Sequence, residues 1–217
     1  MNIEQARFNM IEQQIRPWDV LDADILALLS TVKREAFVPM AHKALAFVDI
    51  ELPLSDGQFM LSPKLEARLV HDLKVQKHER VLEIGAGSGY MAALLSNLAA
   101  QVLTLEIKPA LVDFAKSNLH NAGISNVEVR RADASKDADL LGSFDVILLS
   151  GSVACVPSTL LNLLKPGGRL AAIVGDEPVM RAHFVTRTGE KTFETRQPWD
   201  TIAPRLLNFP EPSHFSF

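Results

Sequence analysis

Cysteine is nearly missing from this chain: Cys155 is the sole one in 217 residues, so no internal disulfide can form. That usage suits a reducing compartment, and a cytoplasmic location is expected. No apolar run approaches the roughly 20 residues of a membrane-spanning helix, so no membrane association is expected. The opening Met1-Asn2-Ile3-Glu4-Gln5 has no basic region followed by an apolar one, and no secretory leader is expected. Lysine and arginine form no runs, and the net charge is −4. Bulk attraction to nucleic acid or acidic lipid is thereby disfavoured. His42, His71, His78, His120, His183 and His214 form no close-spaced cluster with cysteine or each other, so no metal site is expected. Repeats and low-complexity segments are also missing. What remains, 47% apolar and 22% charged, describes an ordinary globular chain with one substantial core.

The informative stretch is Val81-Leu82-Glu83-Ile84-Gly85-Ala86-Gly87-Ser88-Gly89-Tyr90. An apolar run ends in a glycine-spaced turn, and Leu94, Leu95 and Leu98 then recur at helical spacing. Strand, tight turn and helix follow in order. Such a turn lets a ligand approach the backbone, and the helix start offers free N–H groups and partial positive charge.

Around it the chain divides in two. Residues 1–16 read as a helix stopped by Pro17, and Asp22 caps a second with Ile25, Leu28, Leu29 and Val32 on one face. Residues 40–62 lack periodicity and read as a long surface loop. Ser62-Pro63 opens a helix from Lys64 to Leu73. From residue 80, strands Arg80–Ile84, Gln101–Ile107, Val127–Arg131, Phe144–Ser150 and Arg169–Val174 alternate with helices Tyr90–Ala99, Pro109–Asn121 and Pro157–Leu164. Runs such as Val146-Ile147-Leu148-Leu149 predict a parallel sheet buried on both faces. Residues 183–196 read as a closing hairpin turning at Thr188-Gly189, and Arg205–Phe217 as an irregular tail. The expected division is a helical extension with an active-site loop over 1–62 and a cofactor-binding domain over 63–217, together one compact unit.

The glycines at 85, 87 and 89 give G-x-G-x-G, whereas a dinucleotide site wants G-x-G-x-x-G. A nicotinamide enzyme is therefore disfavoured. Glu106 ends the second strand, where an acid can accept hydrogen bonds from both ribose hydroxyls. Asp133 follows the third strand, within reach of an adenine edge. Three consecutive strand ends facing one ligand suit S-adenosylmethionine: glycine turn for the methionine end, Glu106 for ribose, Asp133 for adenine. Glu83 lies inside the first strand, and structural support of the turn and ligand contact stay equally open for it.

With these residues in place the sequence resembles the protein-L-isoaspartate O-methyltransferase family. Lys33-Arg34-Glu35-Ala36-Phe37-Val38-Pro39 is similar to its Arg-Glu-x-Phe-Val-Pro segment, and Ala46-Phe47-Val48-Asp49 through Leu52-Pro53-Leu54 to its Ala-Tyr-x-Asp…Leu-Pro-Ile segment. Val81–Tyr90 resembles its cofactor motif, and Pro166-Gly167-Gly168-Arg169-Leu170 with Val174-Gly175 is similar too. The resemblance implies an α/β fold: a doubly wound, mostly parallel, seven-stranded Rossmann-like methyltransferase sheet with a helical N-terminal extension. It implies S-adenosylmethionine as donor and S-adenosyl-L-homocysteine as product. The cofactor-binding set it implies is Glu83, Gly85, Ala86, Gly87, Ser88, Gly89, Glu106, Ile107, Asp133 and Ala134.

Departures gather at the acceptor half. The family's Gly-x-Gln-Thr-Ile-Ser-x-Pro loop becomes Gly57-Gln58-Phe59-Met60-Leu61-Ser62-Pro63. Phe59 replaces the usual threonine, Leu61 the usual serine, and Ser62 is displaced by one. Ser150–Pro157 and Thr201–Leu206 also differ from the family's forms. Ser62 is either the substitute catalytic hydroxyl or a helix cap. Phe59, Met60 and Leu61 form the substrate loop and either wall an apolar pocket or pack on the sheet. The acceptor is a protein or peptide carboxylate, or else an apolar small molecule; a non-catalytic cofactor binder is the third reading. A carboxylate acceptor is ionised near neutral pH and needs no general base, so no catalytic dyad is required.

Overall fold

The computed structural model describes residues 2–211. It begins with helix α1 (Ile3–Met10), which runs into a π-helical turn over Ile11–Ile15 and a 3-10 turn over Arg16–Trp18. The single helix expected over 1–16 is thus three segments, ended where Pro17 cannot supply an N–H. Helix α2 (Ala23–Thr31) is capped as its sequence predicts, with Asp22 Oδ1 accepting from Asp24 N at 2.9 Å and Ile25 N at 3.3 Å.

The expected loop over 40–62 is more ordered than its lack of periodicity suggests. It holds a 3-10 helix over Met40–Leu45 and a two-stranded antiparallel ribbon of β1 (Leu52–Pro53) and β2 (Phe59–Met60). Helix α3 (Pro63–Leu73) follows and buries Leu65, Leu69, Val70 and Leu73.

The second half alternates as predicted: β3 (Arg80–Ile84), α4 (Tyr90–Ser96), β4 (Gln101–Glu106), α5 (Pro109–Asn121), β5 (Val127–Arg131), a short α6 (Ala134–Asp137), β6 (Phe144–Val153), α7 (Ser158–Leu161) and β7 (Leu164–Asp176). Antiparallel strands β8 (Val179–Arg187), β9 (Phe193–Arg196) and β10 (Asp200–Thr201) finish it. β6 and β7 run longer than expected, and α7 is shorter than the helix expected over Pro157–Leu164. The sheet has eight strands along the path β10-β8-β7-β6-β3-β4-β5, with β9 pairing β8 off that path. β9 and β10 occupy successive stretches of β8's outer edge, so the eight strands fill seven positions across. β3 to β7 are mutually parallel.

Burial explains the arrangement. Val81, Leu82, Val146, Ile147, Leu148 and Leu149 are each 0% exposed, as strands covered on both faces require. Met10, Ile11 and Ile15 join the same core cluster as α3 and α4, so the N-terminal helices share one core with the sheet. The expected irregular tail contains an isolated bridge between Arg205 and Ser152, and its residues 212–217 lie outside the described residues. No helix among the described residues is long and apolar enough to cross a membrane.

Candidate active site

The chain runs β3, β4, β5 in one direction across the sheet and then returns to place β6 on the other side of β3. Ligands of open parallel sheets bind at such a reversal, beyond the carboxyl ends of the strands. The glycine turn sits there. Gly85 N and Ala86 N both donate to Leu105 O, at 2.9 and 3.1 Å, laying the turn against the end of β4. Gly89 has φ +84°, and a Cβ there would stand 3.2 Å from the Ala115 carbonyl oxygen, so only glycine lets α4 start this close to α5.

Glu106 is 6% exposed and ties the site together. Its Oε2 accepts from Gly87 N at 2.9 Å, while Oε1 accepts from Ile107 N at 2.8 Å and Lys108 N at 3.0 Å. Ser88 Oγ accepts from Tyr90 N at 3.4 Å, and Asn118 Nδ2 donates to Ser88 O at 2.9 Å.

Glu83 is 0% exposed. Its Oε1 accepts from Ser150 Oγ at 2.7 Å, and its Oε2 is buried with no hydrogen-bond partner. Burial pushes the Glu83 carboxyl up to about 7; the buried Thr104 hydroxyl opposite it on β4 and the Ser150 hydrogen bond oppose this, and the nearby Glu106 charge adds to it. A buried, unpartnered carboxylate oxygen is costly unless a donor meets it. The Glu83 residue lines a small cavity of about 20 Å³ with Phe59, Met60, Leu61, Gly87, Ser88 and Ser150. An ammonium group with three N–H donors fits such an acceptor.

On the other side of Gly85 a second cavity, of about 50 Å³, is lined by Gln58, Glu106, Ile107, Asp133, Ala134 and Leu206. Asp133 is the N-cap of α6, accepting from Ser135 N at 3.1 Å and Ser135 Oγ at 2.6 Å. Its other oxygen accepts from Asn208 Nδ2 at 2.8 Å. Burial opposes the Asp133 charge, but the bonds from Ser135 and Asn208 outweigh it and hold the carboxyl below its ordinary range. Leu206 Cδ2 lies 3.0 Å from where a Cβ on Gly85 would stand, so the C-terminal segment covers the turn. The two cavities meet at Gly85 and bring together every expected cofactor-site residue except Gly89, whose role is in the backbone turn.

The loop side is held from beneath. Arg34 is 0% exposed and donates to Ala46 O at 3.0 Å, to Leu61 O at 2.8 Å and to the Glu66 carboxylate. Its guanidinium lies over the Tyr90 ring, 5.2 Å from the centroid. Burial lowers it to about 10, so it stays charged at neutral pH beside Glu66. Met60 and Leu61 are each 4% exposed, whereas Phe59 is 45% exposed at the cavity's edge. Ser62 stands apart from both cavities. It lines a separate groove of about 600 Å³ with Trp18, Ile50, Lys64, Arg68 and Trp199. It occupies the N-cap position of α3 but its side chain makes no capping bond; Asp49 Oδ1 accepts from Lys64 N instead, at 3.3 Å.

The sequence flagged Ser150 only as the start of the divergent Ser150–Pro157 segment and did not single it out as a site residue, although its place at a strand end next to the glycine turn was a usable signal. Arg34 and Leu206 lie in segments singled out for their likeness to or departure from the family, Lys33–Pro39 and Thr201–Leu206, but not as the loop's anchor and the donor side's cover, and Asn208 had no local signal. Among the described residues no group of three or more His, Cys, Asp or Glu could hold a metal ion.

A doubly wound α/β sheet with this turn and these acids at its switch point defines a methyltransferase with a nucleotide-type donor site. The model of the protein-L-isoaspartate(D-aspartate) O-methyltransferase family matches residues 5–203, and the chain belongs to that family. It is accordingly an S-adenosylmethionine-dependent methyltransferase. A protein-L-isoaspartate O-methyltransferase of Rhodopseudomonas palustris is 37% identical over 199 residues, 91% of each chain. One of Methanoculleus marisnigri is 38% identical over 171 residues, 79% of this chain and 78% of that one. The fold matches the crystal structure of a putative protein-L-isoaspartate O-methyltransferase of Plasmodium falciparum in complex with S-adenosyl-L-homocysteine. That match has a TM-score of 0.77 at 19% identity, covering 94% of this chain and 97% of the other.

Proposed function

We propose that this chain transfers the methyl group of S-adenosylmethionine to the carboxylate of isoaspartyl residues in proteins or peptides. The observation that carries the reading is the cavity that Glu83 and the glycine turn share with the Phe59–Leu61 loop, within a chain of this family. In this reading Gly85, Ala86, Gly87, Ser88 and Gly89 cradle the methionyl end, and Glu83 Oε2 accepts from its ammonium group. Glu106 turns from its backbone partners to the ribose hydroxyls. Ile107, Asp133 and Ala134 flank the adenine.

The donor supplies an activated methyl group on a sulfonium. The protein's part is to orient the acceptor, hold it at about 3 Å from the methyl carbon and exclude water. The acceptor carboxylate is ionised at neutral pH and no residue needs to remove a proton. Ser62, on the wall of the outer groove, takes no part in this scheme. Residues 1–62 act as the extension that carries the loop, and residues 63–217 as the donor-binding domain. The net charge of −4 and the lone cysteine support a cytoplasmic protein without nucleic-acid or membrane partners.

The test is transfer of tritiated methyl to an isoaspartyl peptide, with the aspartyl isomer as control. A base-labile methyl ester on the isoaspartyl peptide alone is expected, and a rate no higher than the control overturns the substrate. Exposed Phe59 favours an apolar small-molecule acceptor as the second reading. S-adenosylhomocysteine formation with such acceptors, and none with the peptide, would select it.

A further inference from the structure

The cavity between the glycine turn and the loop has one apolar wall and one polar wall. Phe59, Met60, Leu61 and Met91 offer no hydroxyl or N–H from their side chains, so polar side-chain contact comes from Glu66, Glu83, Ser88 or Ser150. Glu66 is engaged by Arg34. Ser88 Oγ accepts from Tyr90 N and keeps its own proton, but Ser88 belongs to the glycine turn, which is taken by the methionyl end of the donor in the reading above. Glu83, when ionised, can only accept. Ser150 is the hydroxyl left to meet an acceptor carboxylate.

The backbone aims it there. β6 pairs in register with β7 from Val146 to Leu148, then slips, and pairing resumes at Ser152 opposite Ile173. Irregularities of this kind re-aim side chains beside active sites. Past the slip the strand is pinned. Ser152 N donates to Pro204 O at 2.7 Å, Leu206 N donates to Ser152 O at 2.9 Å, and Ser152 Oγ donates to Ala203 O at 2.8 Å. A Cβ on Gly151 would stand 2.8 Å from Leu206 and 2.9 Å from Pro204 O, so only glycine fits beside Ser150 against this segment. The Ser150 hydroxyl is held by Glu83 Oε1 at 2.7 Å.

We propose that Ser150 is the acceptor-contacting residue of the site, its hydroxyl donating to one oxygen of the isoaspartyl carboxylate so that the other faces the methyl donor. This rests on the isoaspartyl reading given above. A serine hydroxyl has one proton, so it cannot donate to Glu83 and to the acceptor together. A cation at Glu83 Oε2 weakens the pull of that carboxylate on the hydroxyl proton and frees it to rotate. Donor-first binding follows. In the transfer the carboxylate oxygen forms the new O–C bond, the pair of the broken S–C bond returns to sulfur, and no proton moves. Ser150 acts by orientation alone.

The experiment compares Ser150→Ala and Ser150→Thr with the parent protein. It reads S-adenosylhomocysteine Kd, isoaspartyl-peptide Kd on the S-adenosylhomocysteine complex, and kcat/KM. Ser150→Ala is expected to keep S-adenosylhomocysteine Kd within about threefold while weakening peptide binding about tenfold, the effect of one hydrogen bond to a charged group. kcat/KM should fall at least as far, and Ser150→Thr should restore both to within about threefold. Peptide binding and kcat/KM unchanged in Ser150→Ala, with an active parent, overturn the assignment alone. So does a loss of S-adenosylhomocysteine binding as large as the loss of peptide binding. A parent that neither binds nor methylates the peptide overturns this assignment and the substrate reading together, and the activity of the parent separates the two failures.

Discussion

Glu106 Oε2 accepts a hydrogen bond from Gly87 N at 2.9 Å, so the acid that ends β4 closes the turn that follows β3. With Ile107 N and Lys108 N on its other oxygen, Glu106 already satisfies three backbone donors before any ribose reaches it. The proposed ribose contact is thus an exchange of partners. Glu106→Ala should weaken S-adenosylhomocysteine binding by about 1.5–3 kcal/mol, roughly 10- to 150-fold, and Glu106→Gln by less because one acceptor oxygen survives. Calorimetry on folded variants decides, and an unchanged Kd in Glu106→Ala would remove Glu106 from the donor site.

Legibility in the sequence followed the range of the interactions. β3, β4 and β5 could be read because each is a local run of apolar residues, and the glycine turn because its chemistry is contiguous. The extension of β6 through Gly151 and Ser152 could not. Ser-Gly-Ser has little strand character, and its support comes from the resumed ladder to Ile173 of β7 and from Pro204 and Leu206, about 50 residues on. The segment 40–62 hid its ribbon because strands of two residues carry no periodicity. In the site, Glu106 and Asp133 were visible as strand-end acids. Their partners were not: Asn208 lies 75 residues from Asp133, and Ser150 lies 67 from Glu83.

Arg34 and Glu66 are 32 residues apart in sequence and form a buried ion pair under the loop. Removing one partner strands a charge in the core. Arg34→Met should therefore cost about 3–5 kcal/mol in urea unfolding, and adding Glu66→Leu should recover most of it. The recovered double variant would still lack the bonds to Ala46 O and Leu61 O. Its KM for peptide is expected to stay raised although its stability returns. A double variant with parental KM would show that the loop does not depend on Arg34.

Leu206 covers Gly85 and Gly151, and the two cavities beside it, about 50 and 20 Å³, are far below the roughly 300 Å³ of an ordinary ligand pocket. Donor entry must therefore move this side chain or the loop opposite. Leu206→Ala should raise the association rate of S-adenosylhomocysteine several-fold while lowering thermal stability modestly through lost packing. Stopped-flow binding measures the rate, and an unchanged rate would assign the opening motion to the loop.

Glu83 links the same cleft to pH. Its carboxyl ionises near 4.5 when exposed and near 7 in the fold, because burial disfavours its charge. The folded chain therefore holds this proton more tightly across that window, and unfolding releases it. Its contribution to stability is complete below about pH 4.5 and is lost as pH rises through 7, in total about 3 kcal/mol. Donor binding should run the other way, since an ammonium group prefers the ionised form. S-adenosylhomocysteine affinity is expected to rise between about pH 6 and pH 8, with a proton released on binding. Glu83→Gln should flatten both slopes. Calorimetry in buffers of differing ionisation enthalpy counts the proton directly. If none is released in the parent, or if the slope persists in Glu83→Gln, the carboxylate does not receive the donor's ammonium group.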